Sequence, residues 1–366
     1  MLMTFAARRF QRLGYHRVSL ADVAADAGVT APAVYRHFSS KEELLAGVIK
    51  SGLDVVDEAI ESHVGEPLSD IVIAVTEVGL DRPDLWVLLQ REARFLGREH
   101  RRAVQGQLDG VVDTLSSRLV EDRPLLSDED SRFLVAGATS VLSTPSAFHL
   151  SASRPKQHRE LARAAIAVLG TKLPAGARRT LPPLPAQEFD RRSELLRHAT
   201  DLFFRRGYVA VTLDDIGAAV GITGPTIYHY FTTKVDLLVA AFDQAVTLLA
   251  VDQQRPGHPA LEDLVRTYIE FCLRNRALVG VYVSEAVNLP AEVRHRIAAL
   301  LKNQVSQWST ALLATERHLD RQGAQIRVQS ALTVIADSAR LGHFYTRPAI
   351  AEEIEAMAVA ILVSGA

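Results

Sequence analysis

A chain of 366 residues that is 48% hydrophobic and 23% charged has the make-up of a soluble globular protein with room for two domains. Its formal net charge of −2 excludes a protein that holds nucleic acid by bulk charge, so any anion-binding surface must be a local patch. Cys272 is the only cysteine, which excludes an intrachain disulfide and a thiolate zinc site and fits a reducing cytoplasm.

In chain order, the first segment from Met1 to Arg9 lacks a basic flank followed by an apolar run, so no signal peptide is read and a cytoplasmic location is expected. The longest uncharged stretch, 133–153, contains Ser140, Ser143, Thr144, Pro145, Ser146 and His149. It reads as a buried or interface helix that breaks at Pro145, not as a membrane span, and no membrane partner is expected.

Sliding the sequence along itself brings two halves into register without a gap at a shift of 193, the step from Gly14 to Gly207. Tyr15, Asp22, Gly28, Thr30, Pro32, Tyr35, Phe38, Lys41, Leu44 and Leu45 fall on identical Tyr208, Asp215, Gly221, Thr223, Pro225, Tyr228, Phe231, Lys234, Leu237 and Leu238. The register persists to Glu92 on Glu285 and Arg154-Pro155 on Arg347-Pro348, so the chain is a full-length duplication of a 173-residue unit. Helical spacing dominates both copies and the alternation of strands is absent, which predicts an all-α fold. In the second copy the spacing predicts helices over 191–206, 213–220, 225–231, 234–250, 259–275, 277–286, 290–321, 323–346 and 348–362. The proline-rich stretch 174–190 reads as an extended linker. The expected division is 1–46 and 191–239 as small N-terminal heads, and 47–173 and 240–366 as helical bodies.

Each head carries two short helices around a glycine turn. Ser19 and Thr30 stand where caps are needed, Gly28 stands where the chain reverses, and Pro32 falls in the first turn of the second helix. Val23, Ala27, Val29, Val34 and Phe38 are expected to close a small core, and the second copy repeats every device. This is the geometry of a helix-turn-helix, which seats its second helix in a DNA major groove.

The run Tyr35-Arg36-His37-Phe38-Ser39-Ser40-Lys41 and its copy from Tyr228 to Lys234, with the preceding Gly-Tyr and Ser/Thr-Leu elements, closely resemble the DNA-binding domain of the TetR (tetracycline repressor) family. The resemblance implies a transcriptional regulator with double-stranded operator DNA and a small-molecule effector as partners, no enzymatic role and no cofactor. It implies phosphate contacts by Thr30, Tyr35, His37 and Lys41 and by Thr223, Tyr228, Tyr230 and Lys234. Ala31, Pro32, Ala33 and Arg36, with Gly224, Pro225, Thr226 and His229, match the base-facing side. Arg36 suits a guanine, and the small Ala33 or Thr226 suits a thymine methyl. Trp86, Gln90, Glu92, His149, Tyr268, Tyr282, Glu285, Trp308, Asp337 and His343 are polar or aromatic groups on the apolar bodies and are candidates for an effector pocket. No GxSxG, P-loop or HExxH occurs. The rival reading is a helical adaptor or ligand-binding protein with one or both heads inactive.

Family members pair through their last two helices. Here both partners stand in one chain, and a linker of about 16 residues reaches roughly 50 Å at ~3.3 Å per residue. Pairing within one chain implies an asymmetric operator, and pairing between two chains implies four heads and a palindrome. The first is the expectation.

Overall fold

The computed structural model describes residues 1–174, 190–222, 224–253, 260–342 and 344–364. Every regular element among them is helical, as the spacing predicts. Residues 175–189 of the predicted linker lie outside the described residues. No helix among the described residues is long and apolar enough to cross a membrane. The chain forms two compact units, Met1–Leu173 with Leu319–Val334 and Ala356–Ala366, and Pro174–His318 with Ile335–Glu355.

In the first unit the helix Leu2–Leu13 buries Ala6, Ala7 and Phe10 on one face and stops at Gly14, whose φ of 80° suits a residue without a Cβ. The next helix, Leu20–Asp26, opens on a reciprocal cap. The Ser19 hydroxyl accepts the Asp22 N–H at 3.1 Å, and the Asp22 carboxylate accepts the Ser19 N–H at 2.9 Å. Gly28 then reverses the chain at a φ of 69°. The helix Ala31–Tyr35 follows and buries only Val34.

Two details depart from expectation. Thr30 occupies the capping position but makes no side-chain cap. Pro32 has no N–H to offer it, and the Ala33 N–H is taken by the Thr30 carbonyl at 2.9 Å. Val29, expected in the small core, is 40% exposed, because the turn at Gly28 closes through the Val29 N–H to Ala24 and leaves the side chain outside.

The long helix Lys41–Glu61 joins head to body, burying Leu44, Leu45, Val48, Ile49, Leu53, Val56 and Ile60 at helical spacing. Around it stand Leu68–Asp81, Pro83–Val87, a π-helical turn over Leu88–Glu92, Arg98–Asp122, Asp128–Leu142 and Arg154–Gly170. The break expected at Pro145 is present: one helix ends at Leu142, and Pro145 falls in the first turn of Thr144–Ala147. An apolar cavity of about 20 Å³ among Val72, Val135, Leu142 and Leu169 is only water-sized.

The second unit repeats the head as Arg191–Arg206, Leu213–Ala219 and Gly224–Ile227, followed by Lys234–Gln253, Leu261–Arg274, Arg276–Glu285 and Ala291–Thr315. Leu195, Phe203, Val211, Ile216, Ile227, Leu237, Phe242 and Val281 form one continuous core from head to body. Predicted and observed ends differ late in the chain. The helix expected over 290–321 stops at Thr315, and the next runs Arg321–Arg340 instead of 323–346. Asp320 causes the restart, since its carboxylate accepts the Gly323 N–H at 2.8 Å as a cap.

Hydrogen bonds from Ser19 hold the Asp22 carboxyl below the usual carboxylate range, and those from Thr212 do the same for Asp215. A carboxyl depressed on folding stabilises above its unfolded value and loses that contribution as pH falls through the folded one. Ser19→Ala and Thr212→Ala are each expected to cost about 1 kcal/mol in urea unfolding at neutral pH. The gap to the parent chain should narrow below the carboxylate range.

Candidate nucleic-acid interface

Exposed side chains stand in or just beyond the second helix of each head, around a single buried apolar anchor. Thr30, Pro32, Tyr35, Arg36 and His37 are exposed, Ala31 and Ala33 are half-buried, and Val34 is fully buried. Pro32, Tyr35 and Arg36 share a face by their spacing of three and four. Tyr35 is 57% exposed and its copy Tyr228 is 56% exposed, so neither phenol is a core residue. His229 and Tyr230 are also exposed, with Ile227 as the buried anchor and Thr226 half-buried. Gly224 and Pro225 begin the helix Gly224–Ile227, and Thr223 lies outside the described residues.

Both lysines expected at phosphates are engaged within the protein. Lys41 donates to the Tyr15 carbonyl at 2.9 Å and lies 4.3 Å from the centre of the Tyr15 ring. Lys234 donates to the carbonyls of Tyr208 at 2.7 Å and Val211 at 2.8 Å, and lies 4.4 Å from the Tyr208 ring centre. Burial lowers the pKa of both ammonium groups. An ammonium has three donors. Lys41 spends one on a carbonyl at this site, whereas Lys234 spends at least two.

The basic residues near the heads are partly neutralised. Arg9 pairs with Asp26 through two hydrogen bonds and lies 3.9 Å from Asp22. Arg206 meets Asp215 at 3.3 Å, and Arg191 meets Glu194 at 2.7 Å. Among the described residues Arg36, exposed just beyond the helix Ala31–Tyr35, makes no ion pair of this kind.

The sequence placed Glu92 and Glu285 among candidate pocket residues, and the structure gives both another task. The Glu92 carboxylate, 1% exposed, accepts the Tyr15 N–H at 3.0 Å. Glu285, also 1% exposed, accepts the Tyr208 N–H at 3.0 Å and an Asn288 side-chain N–H at 2.8 Å. The peptide groups flanking each tyrosine are thereby held from two sides, by a body carboxylate at the N–H and by the lysine at the carbonyl. Arg91 reinforces the first joint by donating to the carbonyls of Phe10 and Gln11, each at 2.7 Å, which end the first helix. Phe95 stacks on Tyr15 with ring centres 5.5 Å apart. The identical offset of Glu92, Tyr15 and Lys41 from Glu285, Tyr208 and Lys234 was the available signal.

A second tie differs between the copies. In the first unit Glu42 accepts the Gly97 N–H at 2.7 Å and a hydrogen bond from His100 at 2.8 Å, and His100 is the leading cause of its lowered pKa. Their counterparts are Val235, Pro290 and Val293, and Val235 and Val293 pack into the apolar core of the second unit.

In the second unit the remaining candidates gather around Tyr268, whose phenol pKa, raised mainly by burial, is raised further by Tyr282 and Asp337. Trp86 and Trp308 are buried at 7% and 1% exposure, and Trp308 meets Tyr268 edge-on at 6.0 Å. Tyr282 meets Phe242 edge-on at 5.8 Å, Gln90 is half-buried and His149 is exposed. Asp337 forms a buried ion pair with Arg340 at 2.6 Å, and burial pushes the neighbouring Cys272 thiol up to about 12. His343 lies outside the described residues. None of these lines the small cavity of the first unit.

The family model for bacterial regulatory proteins of the tetR family matches residues 2–48 and 195–241, offset by 195 − 2 = 193. The chain is similar to the HTH-type transcriptional activator FasR of Mycolicibacterium smegmatis, with 38% identity over 77 residues, 21% of this chain and 34% of that protein. The similarity thus spans about a third of that relative's length. It is also similar to the HTH-type transcriptional repressor KstR2 of Rhodococcus jostii, with 27% identity over 182 residues, 46% of this chain and 87% of that protein. Among solved structures, the TetR-family regulator PfmR of Thermus thermophilus aligns with a TM-score of 0.41 and 20% identity, covering 46% of this chain and 97% of that one. The chain carries the helix-turn-helix domain of the tetR family of bacterial regulatory proteins twice.

Proposed function

We propose that the protein is a DNA-binding transcriptional regulator in which one polypeptide supplies both reading heads, paired within the chain, for an operator with two unlike half-sites. The supporting observation is the make-up of the first compact unit. Leu319–Val334 and Ala356–Ala366, which belong to the second repeat, count with Met1–Leu173. Exposed Tyr35 with Arg36 and His37, against exposed Tyr228 with His229 and Tyr230, supports unlike base preferences. The first head also keeps more donors for phosphate, through Lys41 and Arg36.

Effector control passes through the two carboxylate joints. A small molecule seated against Trp86 or Tyr282 acts six residues from Glu92 or three from Glu285. Displacing that carboxylate releases the tyrosine peptide and with it the entry to the helix-turn-helix. DNA affinity then falls because the ligand favours the conformation with loosened heads.

Sites selected by the full chain from a random DNA library are expected to be non-palindromic, bound one chain per site, with half-sites about one helical turn or a multiple apart. A perfect palindrome bound by two chains overturns the reading, and failure to bind any sequence at low salt supports the adaptor instead. On a selected site, Arg36→Ala should cost about 1–3 kcal/mol and relax base preference in one half-site alone, read by footprinting. Glu92→Ala and Glu285→Ala should each strip exchange protection from the Tyr15 or Tyr208 amide by the equivalent of about 1–3 kcal/mol, leaving the other head unchanged. Protection that survives both substitutions removes the joints from the mechanism.

A further inference from the structure

The first compact unit holds an ion pair that its duplicated counterpart cannot form. Arg327 is 1% exposed and Glu160 is 4% exposed, and they meet at 3.2 Å. A second Arg327 hydrogen bond reaches the Leu362 carbonyl at 3.3 Å. The 193-residue shift maps Arg327 to Leu134 and Glu160 to Glu353. Glu353 is held by Arg347 at 2.7 Å and 2.8 Å, so its charge is satisfied within its own repeat. Only one of the two equivalent positions therefore carries a cross-repeat guanidinium.

Two further asymmetries fall in the same unit. Gly137 lies so close to Met357 that an added Cβ would stand 2.7 Å from the Met357 sulfur and 3.0 Å from Val168. The counterparts are Ser330 and Ala164, so a missing side chain faces a large one in one pair and two small residues make up the other. Lys156 pairs with Asp320, and their counterparts are Ala349 and Ser127.

We infer that the pairing surface of the first repeat is built to accept the second repeat and to reject a copy of itself, with Glu160 and Gly137 selecting Arg327 and Met357. This rests on the pairing of repeats proposed above and adds its specificity. Carried over to a pairing of two first repeats, Leu134 replaces Arg327 and Ala164 replaces Met357. Each buried Glu160 then keeps only Arg159 and Arg163, both at 3.6 Å and 57% and 42% exposed, and each Gly137 faces a void. In a pairing of two second repeats, Ser330 puts a Cβ and hydroxyl where a Cβ alone already crowds Met357. The cross-pairing alone avoids both penalties, as expected of a surface that discriminates by what it excludes.

The test uses the full chain carrying Ser151→Cys and Gln322→Cys. The Gln322 side chain donates to the Ser151 carbonyl at 2.8 Å, both residues are exposed, and the native Cys272 is buried. A short bis-maleimide should link these cysteines efficiently in the parent chain. Glu160→Arg or Arg327→Glu should each lower the cross-linking rate at least tenfold, and the double exchange should return it to within about twofold of the parent. Gly137→Ser should lower it similarly and be rescued by Met357→Ala. Single variants that cross-link like the parent overturn the inference, as does a folded double exchange that stays as slow as the single variants. Should the single variants fail to fold, recovery of folding and cross-linking in the double exchange decides the same point. The size of the product reports separately on the underlying reading. A link within one chain supports internal pairing, and a link between two chains refutes internal pairing while the dependence on residues 160 and 327 still measures specificity.

Discussion

A helix-turn-helix head of under 50 residues has too little apolar interior to be rigid alone, so everything it does depends on how it is fastened to a larger body. Here the fastening is a buried carboxylate that accepts the N–H of the tyrosine after the Gly14 or Gly207 turn. A carboxylate withdrawn from water is costly unless its oxygens are occupied, and a peptide N–H withdrawn from water is costly unless it finds an acceptor. Arg91 pairs with the Glu92 charge, and the peptide N–H and the carboxylate satisfy each other only while head and body stay in register. The lysine at the head of the connecting helix completes the grip by taking the carbonyl on the other side of the same tyrosine. The second helix of each head then needs only one apolar anchor, Val34 or Ile227, because the turn before it is already fixed.

Much of this was legible in the sequence because the chain is its own alignment. The shift of 193 residues identified the repeat, and the spacing of Ser19, Gly28 and Pro32 identified the head, since capping, chain reversal and a missing N–H are local requirements. The fate of Lys41 was not legible, because an ammonium near a reading helix satisfies a phosphate and a buried carbonyl equally well. Glu92 and Glu285 stand only as pocket candidates for a similar reason: an acidic residue on an apolar helix is visible in the sequence, but its partner 77 residues away is not. Helix ends late in the chain differ from the spacing where a single side chain, Asp320, restarts the helix.

Duplication also separates what a symmetric protein must keep together. In a pair of identical chains every contact appears twice, so its two copies cannot be given different side chains. Once both copies share one polypeptide, Gly137 and Ser330, or Leu134 and Arg327, are free to diverge independently. The same freedom shows in the heads, where Arg36 and His37 stand against His229 and Tyr230.

The unequal second ties have a thermal consequence. Glu42 fastens the first head through hydrogen bonds to Gly97 and His100, while Val235, Leu289 and Val293 belong to the apolar core that fastens the second. Apolar burial weakens on cooling, whereas hydrogen bonds to a carboxylate do not share that dependence. Cooling is therefore expected to weaken the tie of the second head more than that of the first.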